Sequence, residues 1–207
     1  MPEKGVILLT GYEPFGEFKK NSSIEACRKL DGMLYHGYKV VVEEITMDFS
    51  KVRDVIEEHI DHHKPAAVIC TGVSGGGSEI AVERVAINVS TALPPRWEGD
   101  EELDKPIRED GPTAYFTTLP YREIVEAVKE AKIPSRLSNS AGTVGCNQIF
   151  YHLMDYLARS NMDIPAGFIH VPRLPEQALD GRRPSMGVKT SARAMEAVVE
   201  ALAKSLP

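Results

Sequence analysis

Cysteine is scarce: Cys27, Cys70 and Cys146 are the only three in 207 residues, and they stand far apart. An odd, widely spaced set offers no disulfide framework, and there is no CxxC pair to build a metal knuckle. Such usage fits reduced thiols in a cytoplasmic setting. Basic charge is not in excess either. The 24 Lys and Arg face 30 Asp and Glu, for a formal net charge of -6. A general nucleic-acid binder would carry a basic face, so that class is disfavoured. Long hydrophobic runs are missing: none approaches the roughly 20 residues of a membrane helix. The opening run GVILLT reads as a first strand, not as part of a signal peptide. Repeats and low-complexity tracts are absent as well. What remains is 43% hydrophobic and 26% charged residues, ordinary for a soluble globular chain. The length suggests one domain over residues 1–207 with a core of its own.

Hydrophobic patterning orders the chain. GVILLT, YKVVVEEI, AAVICT and AGFIHV are short apolar runs, read as buried strands. Between them lie helical stripes. SSIEACRKL opens with Ser22 and Glu25 at capping-box spacing. SKVRDVIEEHIDHH puts Val52, Val55, Ile56 and Ile60 on one face. YREIVEAVKEA turns Ile124, Val125, Val128 and Ala131 inward. The helix after Cys146 does the same with Ile149, Phe150, Leu153, Met154 and Leu157, and SARAMEAVVEALAKSL is the last helix. EIAVERVAINVS alternates like one strand, and PSRLSN reads as a short one. Apolar strands alternating with amphipathic helices predict an α/β fold, a three-layer α/β/α domain around a largely parallel sheet. Two long segments fall outside the pattern. The acidic stretch over 94–112 reads as a surface loop bordering a site or an oligomer contact, and RLPEQALDGRRPS is a second, basic loop.

Cys146 draws attention through its setting, SNSAGTVGCNQIFYH. Gly142 and Gly145 allow a sharp turn and a close approach of substrate. The free N–H groups of a helix start stabilise a thiolate and can hold an oxyanion. A strand, a turn of small residues and a nucleophile at a helix start follow the logic of a nucleophile elbow, without being its GxSxG pattern. A thiolate nucleophile usually works with a base. Of six histidines, His36 sits in a turn, and His59, His62 and His63 read as a solvated helix end or a chance metal patch. His152 points away from the Cys146 face. His170 ends an apolar strand, where ligands of open α/β sheets bind. Glu83 shares its predicted strand face with Ala81, Val85, Ile87 and Val89. A carboxylate there needs a partner, and patterning does not choose between a structural partner and a histidine.

Five blocks then carry a resemblance: TGYEPFG with Asn21 six residues after Phe15, VERVAIN, GPTAYFTTLP, SNSAGTVGCN and GFIHVPRLPEQ. In this order and spacing they resemble the pyroglutamyl peptidase I family, or pyrrolidone-carboxylate peptidases, over nearly the whole chain. The resemblance implies a small α/β/α cysteine peptidase that removes N-terminal pyroglutamyl residues from peptides. It implies Cys146 as nucleophile, His170 as general base and Glu83 as the group orienting His170. Tyr12 and Phe15 match ring-binding aromatics, Asn21 would hold the first loop, and Val144 stands in the ring pocket. No cofactor or metal is implied; a cytoplasmic homodimer or homotetramer is.

The chain departs from the family pattern at four places. Val144 and Gly145 replace an aromatic and an aliphatic residue before the cysteine. Tyr12 stands where Phe is usual, Ala81 where Ser or Thr is preferred, and Leu93 where an arginine is expected. Two alternatives follow. One is a related cysteine hydrolase with another N-terminal cap specificity. The other is a non-catalytic module of the same fold, binding an anion or peptide through GVSGGGS.

Overall fold

The structure, a computed structural model, describes residues 3–91 and 104–207. Its centre is a seven-stranded sheet. In chain order its strands are β1 (Gly5–Tyr12), β2 (Leu34–Tyr35), β3 (Tyr38–Ile45), β4 (Ala67–Ser74), β5 (Ile80–Glu83), β8 (Ser135–Ser138) and β9 (Ala166–Pro172). They lie side by side as β2-β3-β1-β4-β9-β5-β8. The pairs β3/β1, β1/β4 and β4/β9 are parallel, β5 runs antiparallel to β9, and β8 is parallel to β5. A separate antiparallel pair joins β6 (Val85–Ile87) to β7 (Ala114–Phe116).

Among the described residues five α-helices cover the sheet: α1 (Ser22–Cys27), α2 (Val52–His63), α3 (Tyr121–Glu130), α4 (Gly145–Arg159) and α5 (Val188–Ser205). One face, with Ile7, Leu9, Ile69 and Ile169, packs on residues of α1, α3 and α5. The other, with Leu8, Val68, Cys70 and Phe168, packs on α2 and α4. Ile149, Phe150 and Leu153 of α4 are wholly buried there. Burial of each such side chain contributes about 1.5–3 kcal/mol. Because α1 and α2 leave the sheet on opposite faces, a crevice opens between the carboxyl ends of β1 and β4, the usual ligand position in such sheets. Tyr12 closes β1 at that end, and Gly72 lies near the end of β4.

The expected α/β fold and largely parallel sheet are present, with local corrections. The strand expected over 79–90 is two strands in different sheets. The chain leaves the main sheet at Arg84, whose N–H donates to Ser138 O at 2.8 Å and whose carbonyl accepts from Thr117 N at 2.9 Å. The shared face assigned to Glu83 and Val85 is therefore broken. The third strand does not stop before GVSGGGS but runs through Ser74, because Gly72, Val73 and Ser74 pair with His170, Val171 and Pro172. The cap of α1 is Asn21, whose side chain accepts from Ser23 N; Ser22 is already helical. α5 begins at Val188, ahead of the expected serine. The short strands β2 and β7 carry no periodicity of their own and come from pairing.

Candidate active site

Cys146 occupies the second position of α4. The chain reaches it through Gly142 at φ +80°, a left-handed turn that a side chain would strain, and through extended Val144. Val144 offers no side chain to cap the first turn. A side chain at Gly145 would overlap the ring of Phe49. Beneath the thiol lies Gly72: a Cβ there would stand 2.8 Å from Cys146 Sγ. Glycine at 72 thus lets the helix start settle onto the sheet beside His170, its register partner on β9. The helix is tied down by Asn147, which is fully buried. Its side chain accepts from Ile87 N and donates to Ile87 O and Val89 O, all at 2.9 Å. Sequence reasoning missed this brace; a polar residue directly after the cysteine was its only signal.

His170 and Glu83 meet across β9 and β5. His170 lies opposite Ala81 and Glu83 opposite Phe168, so the two are diagonal neighbours on one face. Ala81 adds only a methyl group beside the imidazole, and the longer carboxylate reaches over. Nδ1 of His170 donates to Glu83 Oε1 at 2.8 Å, with both side chains buried. That leaves Nε2 free of Glu83, on the cavity lining that His170 shares with Cys146. Burial works against the charged imidazole, but the hydrogen bonds and negative charges of Cys146 and Glu83 outweigh it and lift His170 to about 9. The second carboxylate oxygen, Glu83 Oε2, is buried without a partner among the described residues.

These three residues line a cavity of 410 Å³. Its apolar wall includes Tyr12, Met47, Phe49, Ala141 and Val144, with Phe15 and Asn21 also on the lining. All four expected substrate-contact residues therefore stand at one site. Tyr12 is buried, and its hydroxyl donates to Gly145 O at 2.7 Å. Burial, then the nearby Cys146 and Cys70, push the Tyr12 phenol well above its usual range, so it stays a donor. Asn21 is engaged by the protein: it donates to Glu13 O at 3.1 Å and accepts from the N–H and hydroxyl of Ser23. Asn21 thereby links Glu13 to the start of α1. Met47 and Phe49, between β3 and α2, were not foreseen, because a loop aromatic has no periodic signature.

The remaining histidines stand apart from the thiol. His36 contacts Glu200 at 2.8 Å and His63 contacts Glu43 at 2.7 Å, both through Nε2. His152 is half-buried, and desolvation, then the charge of Arg53, lowers it to about 4. No cluster of three or more His, Cys, Asp or Glu able to hold a metal occurs among the described residues. Leu93 and residues 94–103 of the acidic stretch lie outside the described residues. Its later part is anchored on α4 through Tyr151 Oη, which donates to Pro112 O at 2.8 Å, and through Arg108 Nε, 3.0 Å from Asp155.

A thiol at a helix start, an imidazole and a buried carboxylate in series, at the carboxyl end of a mostly parallel sheet, define the class of cysteine hydrolases. Within that class the chain belongs to the pyroglutamyl peptidase family, whose sequence model matches residues 5–205. It is 42% identical over 198 residues to the pyrrolidone-carboxylate peptidase of Bacillus licheniformis, covering 95% of this chain and 92% of that one. It is 44% identical to that of Thermococcus onnurineus, covering 96% and 99%. Among solved structures, pyroglutamyl peptidase I of Bacillus amyloliquefaciens superposes with a TM-score of 0.91 at 38% identity, covering 97% and 98%.

Proposed function

We infer that the protein hydrolyses the bond between an N-terminal pyroglutamyl residue and the rest of a peptide. One observation carries the reading: the Cys146–His170–Glu83 series opens onto a small, largely apolar cavity. The pyroglutamyl ring is a neutral lactam without a free amino group, and an apolar slot with backbone donors and acceptors suits it. In this reading Cys146 Sγ attacks the pyroglutamyl carbonyl carbon. The N–H of Cys146 helps hold the oxyanion. His170 Nε2 gives its proton to the leaving amine as the C–N bond breaks, and Glu83 orients the ring. His170 then takes a proton from water, which attacks the thioester and releases pyroglutamate. No step needs a cofactor.

The same reading takes residues 1–207 as one peptidase domain, supported by a single main sheet covered on both faces. It takes the setting as cytoplasmic, supported by three free thiols, and the assembly as a homodimer or homotetramer, which light scattering would check. No helix among the described residues is long and apolar enough to cross a membrane.

The test is hydrolysis of a panel of N-acyl arylamides under reducing conditions. Release from the pyroglutamyl member, above every other cap, is expected. Turnover of another acyl or cyclic-amide cap at an equal or higher kcat/KM would move the specificity to a different cap.

A further inference from the structure

A second cavity, of 540 Å³, adjoins the first. The two share Phe15 and Val73. Both strands that build the catalytic end continue into it. Val73 follows Gly72 on β4, and Arg173 comes three residues after His170. The basic loop after β9 supplies the far wall with Leu179, Asp180 and Arg183, and the loop after β1 supplies the near wall with Phe15, Glu17 and Phe18. The proposed reaction gives this cavity no role.

Its walls have a defined chemistry. Phe15 and Phe18 pack edge to face, with ring centroids 6.1 Å apart. Phe15 is 38% and Leu179 86% exposed. With Val73 they form an apolar surface beside the reacting centre. The rim carries Arg173 and Arg183 against Glu17, Glu176 and Asp180, so neither sign of charge dominates. The two loops are tied together by Gln177 Nε2, which donates to Lys20 O at 3.0 Å. Gln177 Oε1 in turn accepts from Leu174 N at 2.9 Å. Arg173 Nη1 donates to Gln177 O at 3.3 Å, while its Nε is buried with no partner among the described residues. Arg173 also lines the cleft, where its guanidinium can donate to a peptide carbonyl.

We propose that this cleft receives the leaving side of the substrate, and that it favours an apolar residue directly after the pyroglutamyl group. The inference rests on the peptidase reading above. Continuity points to the occupant: a peptide whose ring fills the first cavity and whose carbonyl reaches Cys146 can continue over Phe15 and Val73, where the two cavities meet. The residue after the scissile bond then lies against Phe18, Val73 and Leu179, and its own carbonyl faces Arg173. Burial of a leucine-sized side chain there corresponds to a preference of about ten-fold over glycine.

Two peptides, pyroglutamyl-Leu-Ala-amide and pyroglutamyl-Gly-Ala-amide, test this by calorimetric binding to the Cys146→Ser protein and by turnover in wild type. Binding about ten-fold tighter for the leucine peptide is expected, with the difference shrinking to within two-fold in a Phe18→Ala/Leu179→Ala background. Equal binding of both peptides overturns the cleft even if pyroglutamyl-arylamide is hydrolysed. So does a leucine preference that survives the double substitution. If neither peptide binds and the arylamide is not cleaved, the peptidase reading itself has failed and takes this proposal with it. Arg173→Leu is a second probe: it should weaken both peptides alike while leaving their ratio unchanged, and a changed ratio would place the side chain elsewhere.

Discussion

Two histidine–carboxylate pairs in this protein are almost the same length. His170 Nδ1 stands 2.8 Å from Glu83 Oε1, and His63 Nε2 stands 2.7 Å from Glu43 Oε1. Distance does not separate them; surroundings do. The first pair is enclosed, with side-chain exposures of 11% and 2%, against 16% and 32% for the second. His170 shares a cavity lining with the Cys146 thiol, whereas His63 stacks edge-on against His62 at 4.6 Å. The first bridges two strands at the ligand end of a sheet. The second joins the last turn of α2 to the edge of β3. A carboxylate at hydrogen-bond distance therefore does not make a histidine a catalytic base. Enclosure and a thiol on the same cavity lining set the first pair apart as the candidate.

Substitutions can break or sharpen that contrast. The largest effect is expected from Cys146→Ala, which removes the group that sets His170 apart: arylamide turnover should fall by about 10⁴-fold or more. Glu83→Gln keeps the shape but loses the charge that orients and holds His170 protonated, and a loss on the order of 10³-fold in kcat/KM is expected. Tyr12→Phe removes one hydrogen bond to the backbone before the nucleophile. Steady-state kinetics should show a drop of about two- to ten-fold in kcat, with KM nearly unchanged. His63→Gln should leave kcat/KM within about two-fold of wild type, since neither His63 nor Glu43 lines the catalytic cavity. A large loss there would erase the distinction between the two pairs.

The pH dependence of stability sets His170 against a different histidine, His152. His170 is raised to about 9 from its ordinary 6.5, so the folded protein holds this proton more tightly than the unfolded chain. Its contribution is complete below about pH 6.5 and fades as pH rises through about 9. His152 is lowered to about 4. Its contribution is complete above about pH 6.5 and fades as pH falls through about 4. Thermal melts should therefore show His170→Gln flattening the alkaline decline in Tm and His152→Gln flattening the acid one. The same decline in both variants would contradict these assignments.

The sequence is most legible where periodicity or a short motif carries the information. The apolar runs gave four parallel strands in place, and the stripes of α2, α3 and α4 face the core as expected. Cys146 and His170 could be singled out by element ends alone: one at a helix start after small residues, one at the end of a strand. Glu83 was visible only as a carboxylate in an apolar run, and the resemblance linked it to His170. The pairing depends on an antiparallel register between β5 and β9, with Ala81 opposite His170, which no local pattern encodes. The break at Arg84 was hidden for the same reason, since alternation continues across it while hydrogen bonding does not. Phe49 and Asn147 shape the site from a loop and a buried helix face, where their signal is contact and not spacing.

The most direct measurement is the pH profile of kcat/KM for a pyroglutamyl-arylamide in wild type, Glu83→Gln and His63→Gln. Wild type should hold its activity until His170 loses its proton near pH 9. In Glu83→Gln the alkaline limb should move to lower pH along with the fall in rate, because a carboxylate that supports the charged ring is gone. The His63→Gln profile should overlay wild type. An unmoved limb in Glu83→Gln, or equal shifts in both variants, would contradict the claim that the buried Cys146–His170–Glu83 series is the working site.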